Sequence, residues 1–160
     1  MNIPFNKPYL SSNVLASIQR VSESGKLSGD GVVCKTVEQR MEQLFQIRHT
    51  LLTTSGTHAL ETAMMLLNLQ LGDEVITPSF TFVSIANAII RCGGKPVFCE
   101  INSRTLTMDV HDVERKLSKR TKAIVPVHYA GVSAEMDELC ALARAHQCMV
   151  VEDAAQGVNA

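Results

Sequence analysis

Residues 121–156 read TKAIVPVHYAGVSAEMDELCALARAHQCMVVEDAAQ, and this stretch decides the fold. It opens with a nearly uninterrupted apolar strand, residues 121–127, and closes with a second strand, residues 147–152. Between them lies a helical pattern that Ser133 can cap, with acidic residues near its start and basic residues near its end, as the helix dipole favours. Apolar strands joined by a helix are typical of a parallel sheet that is covered on both faces.

The same alternation of strands and helices extends back to residue 50. The predicted elements are strands at residues 51–54, 74–77 and 95–101, and helices that begin near residues 56, 82 and 109, the last with Asp109 as its N-cap. We therefore expect residues 50–160 to form an α/β fold with a mostly parallel sheet and helices on both faces.

An N-terminal arm with helices is predicted for residues 1–49. Apolar residues at helical spacing predict a helix over residues 13–23, with Gly25 just after its end. Residues 36–39 read Thr-Val-Glu-Gln, which is a capping-box pattern for the start of a second helix.

Composition bounds the classes of function. The 160 residues are 46% hydrophobic and 19% charged, which favours one folded domain over a disordered chain. A net charge of −1 argues against nucleic acid or an anionic membrane as a partner, and no apolar run approaches the ~20 residues of a membrane span. Five cysteines without a C-x-x-C pair argue against disulfides and a zinc site, so no metal is expected. With no visible secretory signal, we expect a cytoplasmic protein.

Ligands of a parallel α/β sheet collect outside the carboxyl ends of its strands. Four segments are predicted at that edge: residues 55–58, 78–82, 128–131 and 153–156. The first of these opens a helix, where free backbone N–H groups bind phosphate well. There Gly56 allows close approach to the main chain and Thr57 adds a hydroxyl, although an ordinary helix cap explains the same residues.

Asp153 follows an apolar strand, where an unpaired carboxylate is costly unless it finds a partner. A protonated pyridine nitrogen is one such partner, Gln156 could bind the hydroxyl of the ring, and Phe82 could stack on its face. The phosphate turn and the carboxylate together indicate pyridoxal phosphate. His128 and Tyr129 are assigned to the rim of the substrate pocket, with a structural role for the histidine as the alternative.

At these residues the chain resembles a known family. TSGTHAL, GDEVITPSFTFVS, AIVPVHYAG and VVEDAAQ occur in the order seen in the pyridoxal-phosphate sugar aminotransferases of the DegT/DnrJ/EryC1/StrS family. The resemblance implies the large domain of the aspartate-aminotransferase-like fold, which is fold type I of these enzymes. The cofactor-binding residues that it implies are Gly56, Thr57 and His58 near the phosphate, Phe82 over the ring, Asp153 at the pyridine nitrogen and Gln156 at the ring oxygen.

The resemblance also implies an activity. Family members transfer the amino group of L-glutamate to a keto-deoxyhexose linked to a nucleotide, and they build each active site at the interface of a homodimer. Residues 25–31 and 127–137 look especially like the transaminases that convert dTDP-4-keto-6-deoxyglucose into dTDP-4-amino-4,6-dideoxygalactose for enterobacterial common antigen.

Family members are more than twice as long as this chain. The resemblance places the lysine that holds the cofactor covalently, and the C-terminal domain, beyond Ala160. We therefore expect the 160 residues alone to leave strand 149–152 unpaired on one side, to fold poorly and to be inactive. A relative that does not transaminate, such as a sugar dehydratase or a regulator, is the alternative function. A Rossmann-type nucleotide-binding module is disfavoured because no G-x-G-x-x-G follows the first strand.

Overall fold

The computed structural model describes Pro4 and residues 7–158, and the chain divides into two units, Met1–Leu52 and Thr53–Ala160. Within the described part, no helix combines the length and the apolar character that crossing a membrane requires.

The first unit contains two helices, α1 (Val14–Glu23) and α2 (Val32–Phe45). The prediction for α1 is confirmed, including Gly25, which follows it with a φ of 69°. The predicted start of α2 at Thr36 is wrong. The hydroxyl of Thr36 donates to the carbonyl of Val32 at 2.9 Å, so this residue lies inside a helix that begins four residues earlier, after Gly31.

The strand predicted at residues 51–54 is absent from the structure. Carboxylates of α2 bind the backbone N–H groups that a strand would have offered to a neighbour. Glu42 accepts from the Thr50 amide at 2.9 Å, and Glu38 accepts from the Leu52 amide at 3.0 Å. This segment is therefore tied to a helix by side chains, which local apolar content does not reveal.

The second unit is built on a four-stranded parallel sheet. The strands are β1 (Glu74–Pro78), β2 (Lys95–Cys99), β3 (Thr121–Ile124) and β4 (Met149–Val150). Their order is β2-β1-β3-β4, and each neighbouring pair is parallel. The predicted α/β architecture is confirmed, with β4 at one edge of the sheet.

Helices cover both faces of this sheet. They are α3 (Gly56–Leu66), α4 (Ser84–Arg91), α5 (Val110–Lys116) and α6 (Met136–His146). Alternate residues of β1 point to opposite faces, so Val75 lies in a core with residues of α3 and α4, and Ile76 lies in a core with residues of α5 and α6. Burial in the second core raises the pKa of the Cys99 thiol to about 12, and the nearby carboxylate of Asp112 adds to this rise.

Three predicted boundaries near the candidate site differ from the structure, and the first is the strand predicted over residues 147–152, which is the two-residue strand β4. The strand predicted over residues 121–127 ends at Ile124, because Pro126 has no N–H for the ladder, and pairing resumes only as a bridge between Val127 and Asp153. Ser133 does not cap α6, which begins at Met136 without any side-chain cap. Its hydroxyl instead donates to the carbonyl of Ala134 at 3.0 Å.

Candidate functional site

The candidate site lies at the carboxyl edge of the sheet. Strands β1 and β3 are adjacent in the sheet, and the strands that follow them in the chain, β2 and β4, lie on opposite sides of this pair. The loops after β1 and β3 therefore run in opposite directions and leave a crevice between them. Crevices at such a switch point are the usual ligand sites of open α/β sheets. Here Phe80 of the first loop contacts Tyr129 of the second, with ring centroids 4.7 Å apart and planes tilted by 44°.

The N-terminus of α3 is fixed at this edge by a pair of hydroxyl groups. Thr57 Oγ1 lies 2.7 Å from Oγ of Ser84, the buried first residue of α4, and α4 follows the carboxyl end of β1. The side chain of Ser55 caps α3 by accepting from the His58 amide at 3.2 Å. Within the described residues, the amides of Gly56 and Thr57 have no hydrogen-bond partner, so they remain available to an anion.

The surroundings of this helix end leave room for a ligand. Gly56 is exposed, and a Cβ built on it would meet no heavy atom within 4 Å. His58 is also exposed, and its Nδ1 contacts the hydroxyl of Thr54. These features suit an anion such as phosphate, since N–H donors and the positive end of the helix dipole face open space.

Asp153 lies at the same edge, just after β4. Its main chain continues the sheet, because its N–H donates to Pro126 at 2.9 Å and its carbonyl accepts from the His128 N–H at 3.1 Å. The carboxylate is half-buried and accepts from the amide of Ala155 at 3.1 Å. Among the described residues, no Lys, Arg or His side chain pairs with this carboxylate, so it keeps acceptor capacity for a cation.

Gln156 is bound through its oxygen. Its Oε1 accepts from the amide of Ala130 at 2.7 Å, and Ala130 adopts a left-handed conformation with a φ of 54°. The side-chain NH₂ group is therefore oriented away from Ala130 as a donor. A donor suits the predicted contact with a ring oxygen.

His128 lies in the interior rather than on a pocket rim. Only 5% of its surface is exposed, and both ring nitrogens are engaged. Nδ1 accepts from the Ala134 amide at 3.1 Å, and Nε2 lies 2.8 Å from Oε2 of Glu152. In this structure the imidazole has no nitrogen left for a substrate, which agrees with the structural role that the sequence left open. Its neighbour Tyr129 is half-buried and faces Phe80.

Phe82 lies at the edge of the site with 74% of its surface exposed. It precedes α4 and has no aromatic partner among the described residues, so its ring is open to a planar ligand. Phe80 is the aromatic residue that the structure uses to join two loops, and the sequence offered no signal to distinguish the two phenylalanines.

Three residues of the site were missed from the sequence: Ser84, Glu152 and Gly157. Each contacts a residue that was predicted, through Thr57 for Ser84 and through His128 for the other two. For Glu152 the sequence shows only an acidic side chain beside Asp153, and its partner, His128, lies 24 residues away in the chain.

Three of the four lysines of the second unit lie at the opposite edge of the sheet. Lys95 and Lys122 are on β2 and β3, where they pair with acidic residues near the start of β1, and Lys119 lies in the turn before β3. Lys116 ends α5 and donates to the carbonyl of Phe98 at 2.7 Å. Its ammonium therefore reaches the carboxyl end of the edge strand β2, where it also pairs with Asp112 at 2.9 Å. Within residues 53–158, no lysine forms a hydrogen bond or an ion pair with a residue of the candidate site.

The chain is similar to known proteins over nearly its whole length. The model of the DegT/DnrJ/EryC1/StrS aminotransferase family matches residues 8–160. A GDP-perosamine synthase from Vibrio cholerae is 35% identical over 157 residues, which is 98% of this chain and 43% of that protein.

Solved structures give the same result. An aminotransferase from Psychrobacter cryohalolentis superposes with a TM-score of 0.92 at 30% identity, over 98% of this chain and 40% of that one. NtdA from Bacillus subtilis, solved with bound cofactor PMP, superposes with a TM-score of 0.87 at 32% identity, over 91% of this chain and 33% of that one. The chain thus spans less than half the length of the relatives that it matches.

Proposed function

Because this chain belongs to the DegT/DnrJ/EryC1/StrS aminotransferase family, we propose that the protein uses pyridoxal phosphate to move an amino group from L-glutamate to a keto-deoxyhexose linked to a nucleotide. The proposal rests on two groups that lie at one edge of the sheet. One is the set of open amides at the start of α3, and the other is the half-buried carboxylate of Asp153, which has no cationic partner among the described residues. Phosphate and a protonated pyridine are the two ends of this cofactor.

The residues present fit this cofactor by their chemistry. The amides of Gly56 and Thr57 suit the phosphate, and the open space beside Gly56 leaves room for it. Within the pair of hydroxyls, Ser84 is buried and Thr57 is half-buried, so donation from Ser84 to Thr57 leaves the Thr57 O–H free for a phosphate oxygen. The exposed His58 adds a further polar group beside this end of α3.

The other residues would act on the ring. Pyridoxal phosphate, when bound, supplies a protonated pyridine ring that withdraws electrons from the bonds of an attached amino carbon. Asp153 would keep the proton on the ring nitrogen, because a carboxylate beside it favours the charged form. The NH₂ group of Gln156 would donate to the ring oxygen, and Phe82 would exclude water from one face of the ring.

The finer substrate assignment rests on two indications that differ. Residues 25–31 and 127–137 resemble transaminases of dTDP-4-keto-6-deoxyglucose, and we retain this sugar as the proposed substrate. The name GDP-perosamine synthase, in contrast, refers to a sugar linked to GDP. We also propose a cytoplasmic homodimer with its active site at the interface, acting in the synthesis of cell-surface polysaccharide.

The test uses the absorbance of the purified protein, expressed from its complete gene and loaded with pyridoxal phosphate. We expect a band near 420 nm that disappears when L-glutamate is added and returns when the keto sugar accepts the amino group. The return of the band is measured with dTDP-4-keto-6-deoxyglucose and, separately, with a GDP-linked keto-deoxyhexose. This comparison shows which of the two nucleotide sugars accepts the amino group. A band that glutamate leaves unchanged would contradict transamination and favour the dehydratase or regulator.

The same sample locates the covalent lysine. Reduction with borohydride attaches the cofactor permanently to the amine that holds it, and peptide mapping identifies that residue. Since three lysines of residues 53–158 lie at the opposite edge of the sheet, and Lys116 is bound by Phe98 and Asp112, we expect the labelled lysine outside this range. A label on Lys95, Lys116, Lys119 or Lys122 would contradict the site.

A further inference from the structure

His128 holds two segments of the candidate site together, and the proposed chemistry gives it no part. Its main-chain N–H donates to the carbonyl of Asp153 at 3.1 Å. Its ring nitrogen Nε2 lies 2.8 Å from Oε2 of Glu152, the residue before Asp153. The loop after β3 is thus joined to the segment after β4 by main chain and side chain of one residue. The His128 side chain is 6% exposed, whereas the Glu152 side chain is 52% exposed, so the contact runs from the interior to the surface.

The hydrogen bonds define which nitrogen carries the proton. The amide of Ala134 is buried and must donate, so Nδ1 of His128 accepts and carries no hydrogen. Nε2 therefore carries the hydrogen and donates it to the carboxylate of Glu152. One ring thus satisfies a buried amide of its own loop and anchors a residue of the other segment.

Gly157 packs directly against this ring. A Cβ built on Gly157 would lie 2.6 Å from Cβ of His128 and 3.3 Å from its Cγ, which is closer than such atoms approach. The glycine amide also closes a turn by donating to the carbonyl of Ala154 at 2.9 Å. Contacts with His128 therefore bracket residues 153–156, through Glu152 on one side and Gly157 on the other.

We propose that His128 is a positioning residue, which fixes the turn 153–157 through Glu152 and Gly157 so that Asp153 and Gln156 are set for the ligand. This inference rests on the proposed function, because the ligand in question is pyridoxal phosphate. The gain is geometric: a carboxylate on an exposed turn samples many directions, and a turn clamped at both ends restricts it before binding.

Two substitutions separate the two bonds of the ring. His128→Asn places an amide oxygen near the position of Nδ1, so the Ala134 amide stays satisfied while the bond to Glu152 is lost. Glu152→Ala breaks the same bond from the exposed side, and Glu152→Gln keeps an oxygen that Nε2–H can reach. His111→Asn, on the exposed face of α5, is the matched control.

The first readout is the dissociation constant of pyridoxal phosphate in the purified protein, measured by fluorescence titration. We expect His128→Asn and Glu152→Ala each to weaken binding roughly tenfold, as for the loss of one charge-assisted hydrogen bond, with no further loss in the double variant. Glu152→Gln and His111→Asn should stay within about twofold of the wild type. The second readout is amide exchange of residues 152–157 without cofactor, which should accelerate in the first two variants.

The outcomes distinguish this inference from the proposed function. Wild-type affinity in both His128→Asn and Glu152→Ala overturns the positioning role, as does an equal loss in Glu152→Gln and Glu152→Ala, since charge rather than the hydrogen bond would then matter. If His128→Asn does not fold, the exposed Glu152 variants decide the question alone. A wild-type protein that does not bind pyridoxal phosphate overturns the proposed function, and the positioning role falls with it.

Discussion

At the scale of single residues, Asp153 is the group on which the proposed chemistry depends most. The sequence places it after an apolar strand, and the structure holds its main chain in the sheet by bonds to Pro126 and His128. Its side chain binds only the Ala155 amide among the described residues. A half-buried carboxylate in this position gains most from a cationic partner, since burial alone disfavours its charge.

Replacing Asp153 by Asn tests this role while keeping the shape of the side chain. The Asn oxygen can still accept from Ala155, but the charge that keeps the ring nitrogen protonated is lost. We expect pyridoxal phosphate to bind about 10- to 100-fold more weakly and transamination to fall by at least as much. Asp137→Asn, in the exposed first turn of α6, is the control. Normal transamination by Asp153→Asn would show that the role is assigned wrongly.

At the scale of elements, two helices show when a local start signal holds. Asp109 was predicted as the N-cap of α5, and its Oδ1 accepts from His111 at 2.8 Å and from Asp112 at 3.2 Å. Ser133 was predicted as the cap of α6 with an equally good local pattern. There the amide of Ala134 donates to the ring of His128, and α6 begins only at Met136. Ser133 therefore lies two residues before Glu135, which occupies the N-cap position. A contact made elsewhere in the fold therefore overrides the local signal.

The two caps predict different costs on substitution. Asp109→Ala removes two hydrogen bonds from the first turn of α5 and should lower the free energy of unfolding by about 1 kcal/mol. Ser133→Ala removes only a partly buried bond to the carbonyl of the next residue, which is no part of a helix cap, and should change it by less than ~0.5 kcal/mol. Urea unfolding of both variants under one condition measures the difference. Equal destabilisation would contradict the assignment of the caps.

At the scale of the whole second unit, the two edges of the sheet carry different groups. The candidate site lies at the carboxyl edge, and the buried carboxylate of Glu74 lies at the amino edge, at the start of β1. Glu74 accepts from Ser118 at 2.7 Å, from Arg120 at 2.8 Å and from Lys95 at 3.4 Å. The bond from Ser118, followed by that from Arg120, lowers the pKa of Glu74 to about 2. Asp112, on α5, accepts from the amide of Glu100 and from the side chain of Lys116, and these bonds lower its pKa to about 2.

These lowered pKa values predict a loss of stability in acid. As the pH falls below 4.5, the ordinary pKa of Glu74, the unfolded chain takes up a proton before the folded chain does, so the free energy of unfolding decreases until the pH reaches about 2. Glu74→Gln should be less stable than the wild type at pH 7 and should lose less stability between pH 5 and pH 3. Urea unfolding at the three pH values measures this.

A matched control isolates the contribution of Glu74. Glu114→Gln changes an exposed residue of α5 and should keep the acid dependence of the wild type. If Glu74→Gln and Glu114→Gln lose stability equally between pH 5 and pH 3, the carboxylate at the start of β1 does not contribute to the acid transition.

The sequence alone determined the features that depend on short-range pattern. Apolar strands alternating with helices required a parallel sheet with two covered faces, and the parallel direction placed three of the four predicted segments, 78–82, 128–131 and 153–156, at one edge. Asp109 was readable as a cap because its partners lie two and three residues away.

Only the tertiary structure decided the features that depend on contacts between distant residues. Carboxylates of α2 took the backbone donors of the strand predicted at residues 51–54, and the bond between Thr57 and Ser84 joined residues 27 positions apart. The burial of His128 likewise followed from Glu152 and Gly157, which reach it only after β4 has paired with β3. A hydrogen bond or a close approach of this kind leaves no periodic trace in the chain, because its geometry exists only once the sheet has brought the segments together.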